Sequence, residues 1–492
     1  MTLLPRLLLV LVAFASSALL RAAALSEEMA AFLAQPRFDG AMWGVEVVSL
    51  DSGQTLFAHQ PHLRLSPASN AKLYVGALAL ARLGGDYRIR TPLLATAAVT
   101  AAGELPGDLV VAGRGDPSWG AREKKPAFPS VFAPFVEALR HAGVKRIRGD
   151  VVADGTWLRQ PPDGAGWTVD DMNFDYGTEI SGITLFDNFV ELRVTPGAKP
   201  GEPCAFEVLE PLSGLTFVNH TRTLAAGATA TVETRRNAGT TVVEIIGGVA
   251  VDAKSAKTEA PVPRPAQWFA VALKAALERA GIRVDGEARS LVWPETPARA
   301  GVRLGEIVSP PLRELVAGFM KPSQNLETDL VFGHLGESRR TADTPAEKRS
   351  DDLALDALKE FAREVGIAPN DLVFEEGSGL SRNNLTTADA TTRLLAFMAK
   401  HRETDAFLAS LPIAGVDGSL HRRMKGTAAE NNVRAKTGGL RWAASLSGYA
   451  TLGTGERVAF SFMLNRHVAA EGRRAWKEID DLTVILAHHG HP

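Results

Sequence analysis

The 492-residue chain has very little cysteine: Cys204 is the only one. An intrachain disulfide and a cysteine-based zinc or iron–sulfur site are therefore excluded. An excess of charge of one sign is also missing, because Lys and Arg total 54, Asp and Glu total 56, and the net charge is -2. Without a global positive field, this composition argues against a function in binding nucleic acid or anionic lipid.

Long apolar runs are missing everywhere except near the N-terminus. Residues 7–20 form an almost unbroken apolar run of 14 residues, preceded by Arg6 and followed by three alanines at 22–24. This is the layout of a signal peptide, and the run is shorter than the roughly 20 residues that a membrane-spanning helix needs. The sequence predicts a leader over residues 1–24 and a periplasmic protein with no transmembrane segment after cleavage. An uncleaved N-terminal anchor is the alternative.

The remaining composition is that of a globular protein, with 45% hydrophobic and 22% charged residues. At about 150 residues per domain, the length suggests roughly three domains, or one domain with large insertions. Alternating apolar residues predict a hairpin over 43–58 near the start, and strands over 433–435, 444–451 and 457–464 near the end. These strands can share one antiparallel sheet.

Helical spacing of apolar residues predicts helices beside these strands. One begins at Ser69 and ends at the Gly84-Gly85 pair, and another near the C-terminus carries Trp476, Ile479, Leu482 and Leu486 on one face. Between the two ends, residues 135–144, 271–282 and 358–367 each predict a helix followed by a strand. The middle of the chain therefore has the pattern of inserted α/β modules.

Ser69 and Lys72 are the only Ser-x-x-Lys pair in the sequence. Positions i and i+3 share a face of a helix, so the Lys72 amine can reach the Ser69 hydroxyl and take its proton. Lysine is a competent base only where burial or a nearby cation lowers its pKa. The alternative is a serine that caps a helix beside a solvated lysine.

Two further motifs follow along the chain. Ser-x-Asn occurs twice, and the match at Ser381 and Asn383 lies in GSGLSRNN, whose glycines predict a turn. The match at Ser323 and Asn325 lies in a loop that leads into a predicted helix, where an N-cap serine beside an exposed amide is the alternative. Lys436, Thr437 and Gly438 form the only Lys-Thr-Gly, on a predicted strand, where a solvated edge-strand charge is the alternative. The order Ser-x-x-Lys, Ser-x-Asn, Lys-Thr-Gly is the set found in penicillin-binding proteins and class A β-lactamases.

The sequence resembles the low-molecular-mass class C penicillin-binding proteins, the D-alanyl-D-alanine carboxypeptidase/endopeptidase family. Ser69 and Ser323 are separated by 254 positions, which is more than a compact β-lactamase needs. The resemblance extends over nearly the whole chain after the leader and is also carried by GVEVVSLDSGQTLFAHQP, LSPASNAKL, GRGDPS, EEGSGLSRNN and LPIAGVDGSLHRRMKGTAAENNVRAKTGGL.

The resemblance implies an α/β fold: a penicillin-binding-protein/β-lactamase-like domain, with an antiparallel sheet flanked by helices and large inserted α/β domains. By analogy, the serine D,D-peptidase domain comprises residues 25–87 and 305–492. The insertion comprises 88–304, with one module nested in another over about 115–190.

The resemblance also implies roles. Ser69 would attack a D-Ala-D-Ala or D-Ala-diaminopimelate bond in peptidoglycan stem peptides, with Lys72 as base, and form an acyl-enzyme. Ser323 would relay a proton to the leaving amine, and Asn325 would hold the substrate amide. β-Lactam antibiotics would be covalent inhibitors, and no cofactor or metal is expected. The C-terminal histidines, 488, 489 and 491, are interpreted as a polar tail rather than a metal site.

In the third motif, Lys436 would supply positive charge for the substrate's terminal carboxylate and help keep Lys72 neutral, while Thr437 would donate its hydroxyl to the carboxylate. Gly438 completes the motif, and the backbone N–H groups of Ser69 and Gly439 would bind the oxyanion.

Two departures from the family pattern stand out. Gly439 occupies a position where the family usually has a hydroxyl residue, so one contact to the carboxylate is lost. Glu376 replaces the aspartate of the family's Asp-Gly-Ser-Gly, which would alter a supporting hydrogen bond. A non-catalytic peptidoglycan-binding protein and a β-lactamase remain as alternative functions.

Overall fold

The structure is a computed structural model that describes residues 24–120 and 127–490. The predicted leader lies outside the described residues except for its last position. Within the described part of the chain, none of the helices combines the length and the apolar character needed to span a bilayer.

The helices are listed here in chain order: α1 (24–33), α2 (Ala71–Leu83), α3 (Ala133–His141), α4 (Pro265–Arg279), α5 (Leu312–Met320), α6 (Asn325–Ser338), α7 (Ser350–Val365), α8 (Ala388–Met398), α9 (Thr404–Ser410) and α10 (Ala475–His488). The strands of the first part are β1 (Met42–Ser49), β2 (Thr55–His59), β3 (Arg90–Ala95), β4 (Glu104–Leu105), β5 (Leu109–Ala112), β6 (Arg146–Ile147), β7 (Val151–Asp154), β8 (Phe189–Thr195), β9 (Ala205–Val208), β10 (Thr216–Asn219), β11 (Arg222–Leu224) and β12 (Glu233–Arg236). The remaining strands are β13 (Val242–Ile246), β14 (Gly248–Ala250), β15 (Ala256–Pro261), β16 (Arg283–Val284), β17 (Ala288–Leu291), β18 (Val302–Val308), β19 (Leu372–Val373), β20 (Leu385–Thr386), β21 (Arg434–Leu440), β22 (Ala443–Thr451) and β23 (Arg457–Asn465).

Backbone contacts divide the chain into two compact units. The first unit, which we call the terminal unit, comprises Met1–Gly85, Phe319–Ser323 and Asp356–Pro492, and the second, the middle unit, comprises Asp86–Gly318 and Gln324–Leu355. Residues 305–318 and 324–355 therefore fall in the middle unit, although the family resemblance places them in the peptidase domain. The predicted domain limits, including the nested module over 115–190, stay a prediction.

The terminal unit is built on a five-stranded sheet in the order β2-β1-β23-β22-β21. All four pairings are antiparallel, and β1 lies directly beside β23, with Val45 opposite Phe462. Strands from both chain ends thus share one sheet, as the alternating apolar residues predict. The sheet buries a core with α10 through Ile479, Leu482 and Leu486.

One residue of the predicted apolar face of α10 does not belong to the core. Trp476 lies in the first turn of the helix and is 42% exposed, where Arg423 stacks over its ring at 5.0 Å. Arg423 is held by a salt bridge to Asp480 one turn later, at 2.6 Å. The tryptophan therefore covers an ion pair instead of packing under the sheet.

The middle unit has its own five-stranded sheet, in the order β17-β7-β5-β3-β18. The β17/β7 and β5/β7 pairs are parallel, whereas the β3/β5 and β18/β3 pairs are antiparallel. Its core includes a cluster of aromatic rings from α3, α4 and their neighbours, in which Trp119 stacks on Phe269 at 5.2 Å. The mixed sheet agrees with the α/β modules predicted for the middle of the chain.

Candidate active site

Ser69 lies in a short 3-10 turn, Ala68–Asn70, that leads directly into α2. Lys72 is in the first turn of α2, and its Nζ lies 3.1 Å from Ser69 Oγ. The lysine side chain is completely buried, at 0% exposure, so the alternative of a solvated lysine is wrong. The i, i+3 spacing brings the two groups together on one face, as the sequence predicts.

Lys72 also donates to the backbone carbonyl of Ser378, at 2.5 Å. That carbonyl belongs to a loop organised by Glu376, whose carboxylate accepts from the N–H groups of Ser378 at 2.8 Å and Gly379 at 2.7 Å. Gly379 has a φ of +84°, and a Cβ there would lie 2.0 Å from the carbonyl oxygen of Ala68. This loop therefore packs directly against the turn that carries Ser69, and Glu376 supports its conformation.

Lys436 lies on the edge strand β21 but does not face solvent. Its exposure is 0%, and its Nζ donates to Ser323 Oγ at 2.7 Å and to the Thr437 carbonyl at 2.9 Å. Burial, and after it the charges of Lys72 and Arg423, hold the pKa of Lys436 well below its usual range. The alternative of a solvated edge-strand charge is therefore wrong.

Ser323 follows α5 in a turn and has a φ of +72°, a backbone conformation that is rare for a residue with a side chain. Its hydroxyl meets the buried Lys436 amine, while Lys72 meets the hydroxyl of Ser69. The terminal unit thus contains two lysine–serine pairs, and the charge of Lys72 is one of the causes that lower the pKa of Lys436.

Asn325 lies in the middle unit, as the first residue of α6. It is buried, and its Nδ2 donates to the backbone carbonyl of Tyr176 at 2.9 Å. The alternative of an exposed amide is therefore wrong. Its role in holding the substrate amide stays a prediction.

Gly438 is required by the close packing of β21. A Cβ at this position would lie 2.1 Å from Ser445 Oγ and 2.5 Å from the Pro67 carbonyl oxygen, while at Gly439 a Cβ would meet nothing within 4 Å. Ser445 Oγ donates to the same Pro67 carbonyl, at 2.6 Å. The strand therefore approaches the Ser69 turn at a point where only glycine fits, and the next position is open.

Sequence reasoning did not identify several polar residues around this site. Asn70 donates through Nδ2 to Ser447 Oγ at 2.8 Å, and Ser447 donates to Ser461 Oγ at 2.9 Å. Ser419 Oγ lies 2.7 Å from Thr437 Oγ1. A signal for part of this network was available, because Ser445 and Ser447 alternate in the middle of an otherwise apolar strand and so share one face.

Metal-capable side chains come close together at one place among the described residues. His62, Asp371 and Asp389 form this group, but Arg393 Nε already donates to the Asp389 carboxylate at 2.6 Å. The group runs from exposed His62 to buried Asp389, and its buried carboxylate already has a cationic partner. Of the C-terminal histidines, His488 ends α10 and position 491 lies outside the described residues.

Comparison with known proteins identifies the family. The family described as D-Ala-D-Ala carboxypeptidase 3 (S13) matches residues 25–486. The chain belongs to this family. A D-alanyl-D-alanine carboxypeptidase of Actinomadura sp. (strain R39) is 34% identical over 479 residues, which are 95% of this chain and 85% of the relative. The D-alanyl-D-alanine carboxypeptidase DacB of Haemophilus influenzae is 25% identical over 88% of this chain and 87% of the relative.

The solved structures give the same fold. The crystal structure of penicillin binding protein 4 (dacB) from Haemophilus influenzae has a TM-score of 0.75 at 23% identity, and covers 90% of this chain and 95% of that one. The family predicted from the three motifs, the penicillin-binding-protein/β-lactamase-like fold class and the enzyme class of the S13 carboxypeptidases are therefore confirmed.

Proposed function

We propose that this S13 enzyme is an exported serine D-Ala-D-Ala carboxypeptidase that acts on peptidoglycan stem peptides through an acyl-enzyme at Ser69. The observation that carries the proposal is the 3.1 Å contact between Ser69 Oγ and the fully buried Lys72 amine. A buried amine in contact with a serine hydroxyl supplies the base that an unactivated serine lacks. We further propose that the enzyme cleaves D-Ala-diaminopimelate cross-links and is acylated by penicillins.

The first step transfers the Ser69 proton to neutral Lys72 while Oγ attacks the carbonyl carbon of the penultimate D-Ala. The negative charge that develops on the carbonyl oxygen is received by the backbone N–H groups of Ser69 and Gly439. The Ser378 side chain takes no part in this step. Its backbone carbonyl accepts a hydrogen bond from the Lys72 amine at 2.5 Å and so orients the base.

The second step breaks the amide bond and needs a proton on the leaving nitrogen. Ser323 delivers this proton, because Lys436 Nζ donates to its hydroxyl at 2.7 Å and makes the hydroxyl hydrogen available to a third group. Ser323 regains a proton from the protonated Lys72, so Lys72 is neutral again when the D-Ala departs as an amine. Water then attacks the ester carbonyl while Lys72 accepts the water's proton and returns it to Ser69 Oγ, which leaves as the free hydroxyl. Asn325 holds the substrate amide in this scheme.

Lys436 and Thr437 receive the terminal carboxylate. Burial depresses the pKa of Lys436, and an anion bound beside it has the opposite effect, so carboxylate binding and proton uptake by Lys436 are linked. Gly438 lets β21 approach the Ser69 turn closely enough for a substrate strand to lie along it. A peptide with a free C-terminal carboxylate is therefore the preferred substrate class.

The periplasm is the proposed compartment, because the apolar run over 7–20 has the layout of a leader and the proposed substrate lies outside the cytoplasm.

A peptidoglycan-binding protein without catalysis has no use for two buried lysines, each of which is costly to desolvate. A β-lactamase shares the acylation step but requires fast hydrolysis of the penicilloyl ester.

Intact-mass spectrometry with benzylpenicillin tests the proposal. We expect one stable adduct on the wild type, none on Ser69→Ala, and an adduct on the control variant Ser410→Ala, whose hydroxyl bonds only the Phe407 carbonyl among the contacts described. Release of D-Ala from a muropeptide pentapeptide should follow the same order. Equal labelling of Ser69→Ala would refute the nucleophile, and rapid loss of the adduct with turnover of penicillin would favour a β-lactamase.

A further inference from the structure

Ser419 and Thr437 form a hydroxyl pair beside the two buried lysines of the terminal unit. Their oxygens are 2.7 Å apart, and either can be the donor. Thr437 follows Lys436 on β21, and Lys436 bonds Ser323. The pair therefore adjoins the place at which the proposed function puts the terminal carboxylate, although Ser419 belongs to none of the three motifs.

The number of hydrogens in this pair limits what it can offer. Each hydroxyl has one hydrogen and two lone pairs, and the bond between the two oxygens uses one of the two hydrogens. One O–H group remains for a third partner, whichever residue donates. A carboxylate only accepts hydrogen bonds, so the pair can give it one charge-assisted bond.

The backbone around Ser419 is held in place from the turn that carries Ser323. The Ser419 N–H donates to the Lys321 carbonyl at 2.9 Å, and Lys321 Nζ donates to Asp417 at 2.5 Å and to the Leu411 carbonyl at 2.7 Å. At Gly418 a Cβ would lie 2.6 Å from the Lys321 carbonyl oxygen, so the two segments are in close contact. Ser419 is thus fixed relative to the Ser323 turn.

We infer that Ser419 is a positioning residue that donates to Thr437 Oγ1 and thereby leaves the Thr437 O–H aimed at the substrate's terminal carboxylate. The inference rests on the proposed function. The inference explains how the enzyme can bind the terminal carboxylate with glycine at position 439. The better oriented hydroxyl of Thr437 offsets the hydroxyl that position 439 lacks. Ser419 itself does not touch the substrate in this arrangement.

A double-mutant cycle tests the inference. The variants are Ser419→Ala, Thr437→Val and their combination, assayed on a pentapeptide ending in free D-Ala-D-Ala and on the same peptide with a C-terminal amide. We expect Ser419→Ala to lower kcat/KM on the free acid by about three- to tenfold, mainly through KM, and to leave the amide unchanged. Thr437→Val should cost on the order of tenfold to a hundredfold on the free acid, since its bond is to a charged group.

The combination distinguishes positioning from a separate contact. If Ser419 acts through Thr437, the double variant should equal Thr437→Val alone, and Ser419→Thr should retain wild-type preference for the free acid. Additive losses would overturn the inference, since they mean that Ser419 contacts the carboxylate independently. Equal losses on the acid and the amide would also overturn it, since they mean a general structural role.

Two controls separate this inference from the proposed function. Ser410→Ala removes another serine hydroxyl of the same unit and should leave the acid-to-amide ratio unchanged. Every variant is also checked for the penicillin adduct at Ser69 under saturating drug. Absence of an adduct on the wild type would refute the proposed function, whereas normal labelling with an acid-to-amide ratio that Ser419→Ala does not move would refute this inference alone.

Discussion

The two five-stranded sheets of the molecule bury different kinds of residue. In the middle unit, strands β3, β5 and β7 bury aliphatic side chains, and their buried polar residues, Thr91 and Asp154, lie at strand ends. In the terminal unit Ser49 and Asn465 are buried at strand ends, but other buried polar residues lie inside the strands and are listed here: Glu46, Lys436, Thr437, Ser445, Ser447 and Ser461. The sheet of the middle unit has an aliphatic core, whereas the sheet of the terminal unit also buries the polar side chains of the proposed active site.

This difference has an energetic meaning. A buried hydroxyl or amine costs free energy unless it has a partner, and a buried ammonium costs more. Stability alone gives no reason to bury Lys436 and the serines in this sheet. Buried polar residues in the sheet of the terminal unit should therefore lower the free energy of unfolding while they serve catalysis. The sheet of the middle unit should contribute to stability only.

The largest expected effect comes from removing the proposed base. Lys72→Met should lower the rate of acylation by about a hundredfold to ten-thousandfold, the range for loss of a general base, and leave the protein folded. The comparison variant in the sheet of the middle unit, Val152→Ala, should lower the free energy of unfolding by about 1–3 kcal/mol with normal acylation. Stopped-flow acylation and urea unfolding measure the two quantities. A normal acylation rate in Lys72→Met would contradict the assignment of Lys72 as the base.

Lys436→Met should next raise the free energy of unfolding, because methionine does not carry the desolvation cost of a buried amine, and it should weaken carboxylate binding. Because the folded pKa of Lys436 lies below the unfolded value, the unfolded chain binds more protons between the two, and stability falls as pH decreases through that window. The variant should therefore show a flatter dependence of stability on pH in the alkaline range. Unfolding midpoints measured from pH 7 to 10.5 check this, and an unchanged slope would count against a depressed Lys436 pKa.

The same lysine should affect the base. Loss of the Lys436 charge removes a cation near Lys72, so Lys436→Ala should shift the acidic limb of the acylation profile to higher pH. The rate constant for penicillin acylation, measured at each pH, reports this limb. A limb at the same pH in the variant and the wild type would show that the two lysines are not coupled.

Gly438→Ala tests the close approach of β21 to the Ser69 turn. The added methyl group meets Ser445 Oγ and the Pro67 carbonyl, so we expect about 1–3 kcal/mol of lost stability and impaired acylation. Gly439→Ala is the matched control, because its methyl group meets nothing within 4 Å. Thermal unfolding and acylation of the two variants should differ clearly, and similar behaviour would exclude a steric role for Gly438.

The smallest effect is expected from restoring a hydroxyl at position 439. A Cβ at position 439 meets nothing within 4 Å, and in Gly439→Thr one hydrogen bond to the terminal carboxylate should raise kcat/KM on a free D-Ala-D-Ala pentapeptide by about tenfold. A cross-linked dimer recognised mainly through diaminopimelate should gain less. No gain on the pentapeptide in a variant that folds and binds penicillin would mean that Gly439 is not a lost carboxylate contact.

Local patterns predicted the parts of this structure that depend on neighbouring residues in the chain. The Ser69–Lys72 contact follows from helical spacing, and the pairing of β1 with β23 follows from alternation at both chain ends. Other contacts join residues that are close only in the folded protein, and the spacing of residues along the chain does not predict them. The hydroxyl pair of Ser419 and Thr437 is such a case, because it depends on how a loop meets an edge strand.

Trp476 shows a second limit of sequence reasoning. Its spacing matched the apolar stripe of α10, but spacing does not reveal that Arg423, distant in sequence, offers a stacking partner outside the core. The sequence also left two environments possible for Lys436, buried or solvated, because an edge strand exposes one side to water in most sheets. Both outcomes were decided by tertiary packing.

The pairing of β1 with β23 has a consequence for the order in which the enzyme comes into existence. The central strand of its sheet is among the last segments to be synthesised, and the strand with Lys436 and Thr437 comes only shortly before it. A chain that is still being synthesised thus carries Ser69 and Lys72 without the sheet that completes their surroundings. Peptidase activity should therefore arise only after the last strands have been synthesised and have joined β1.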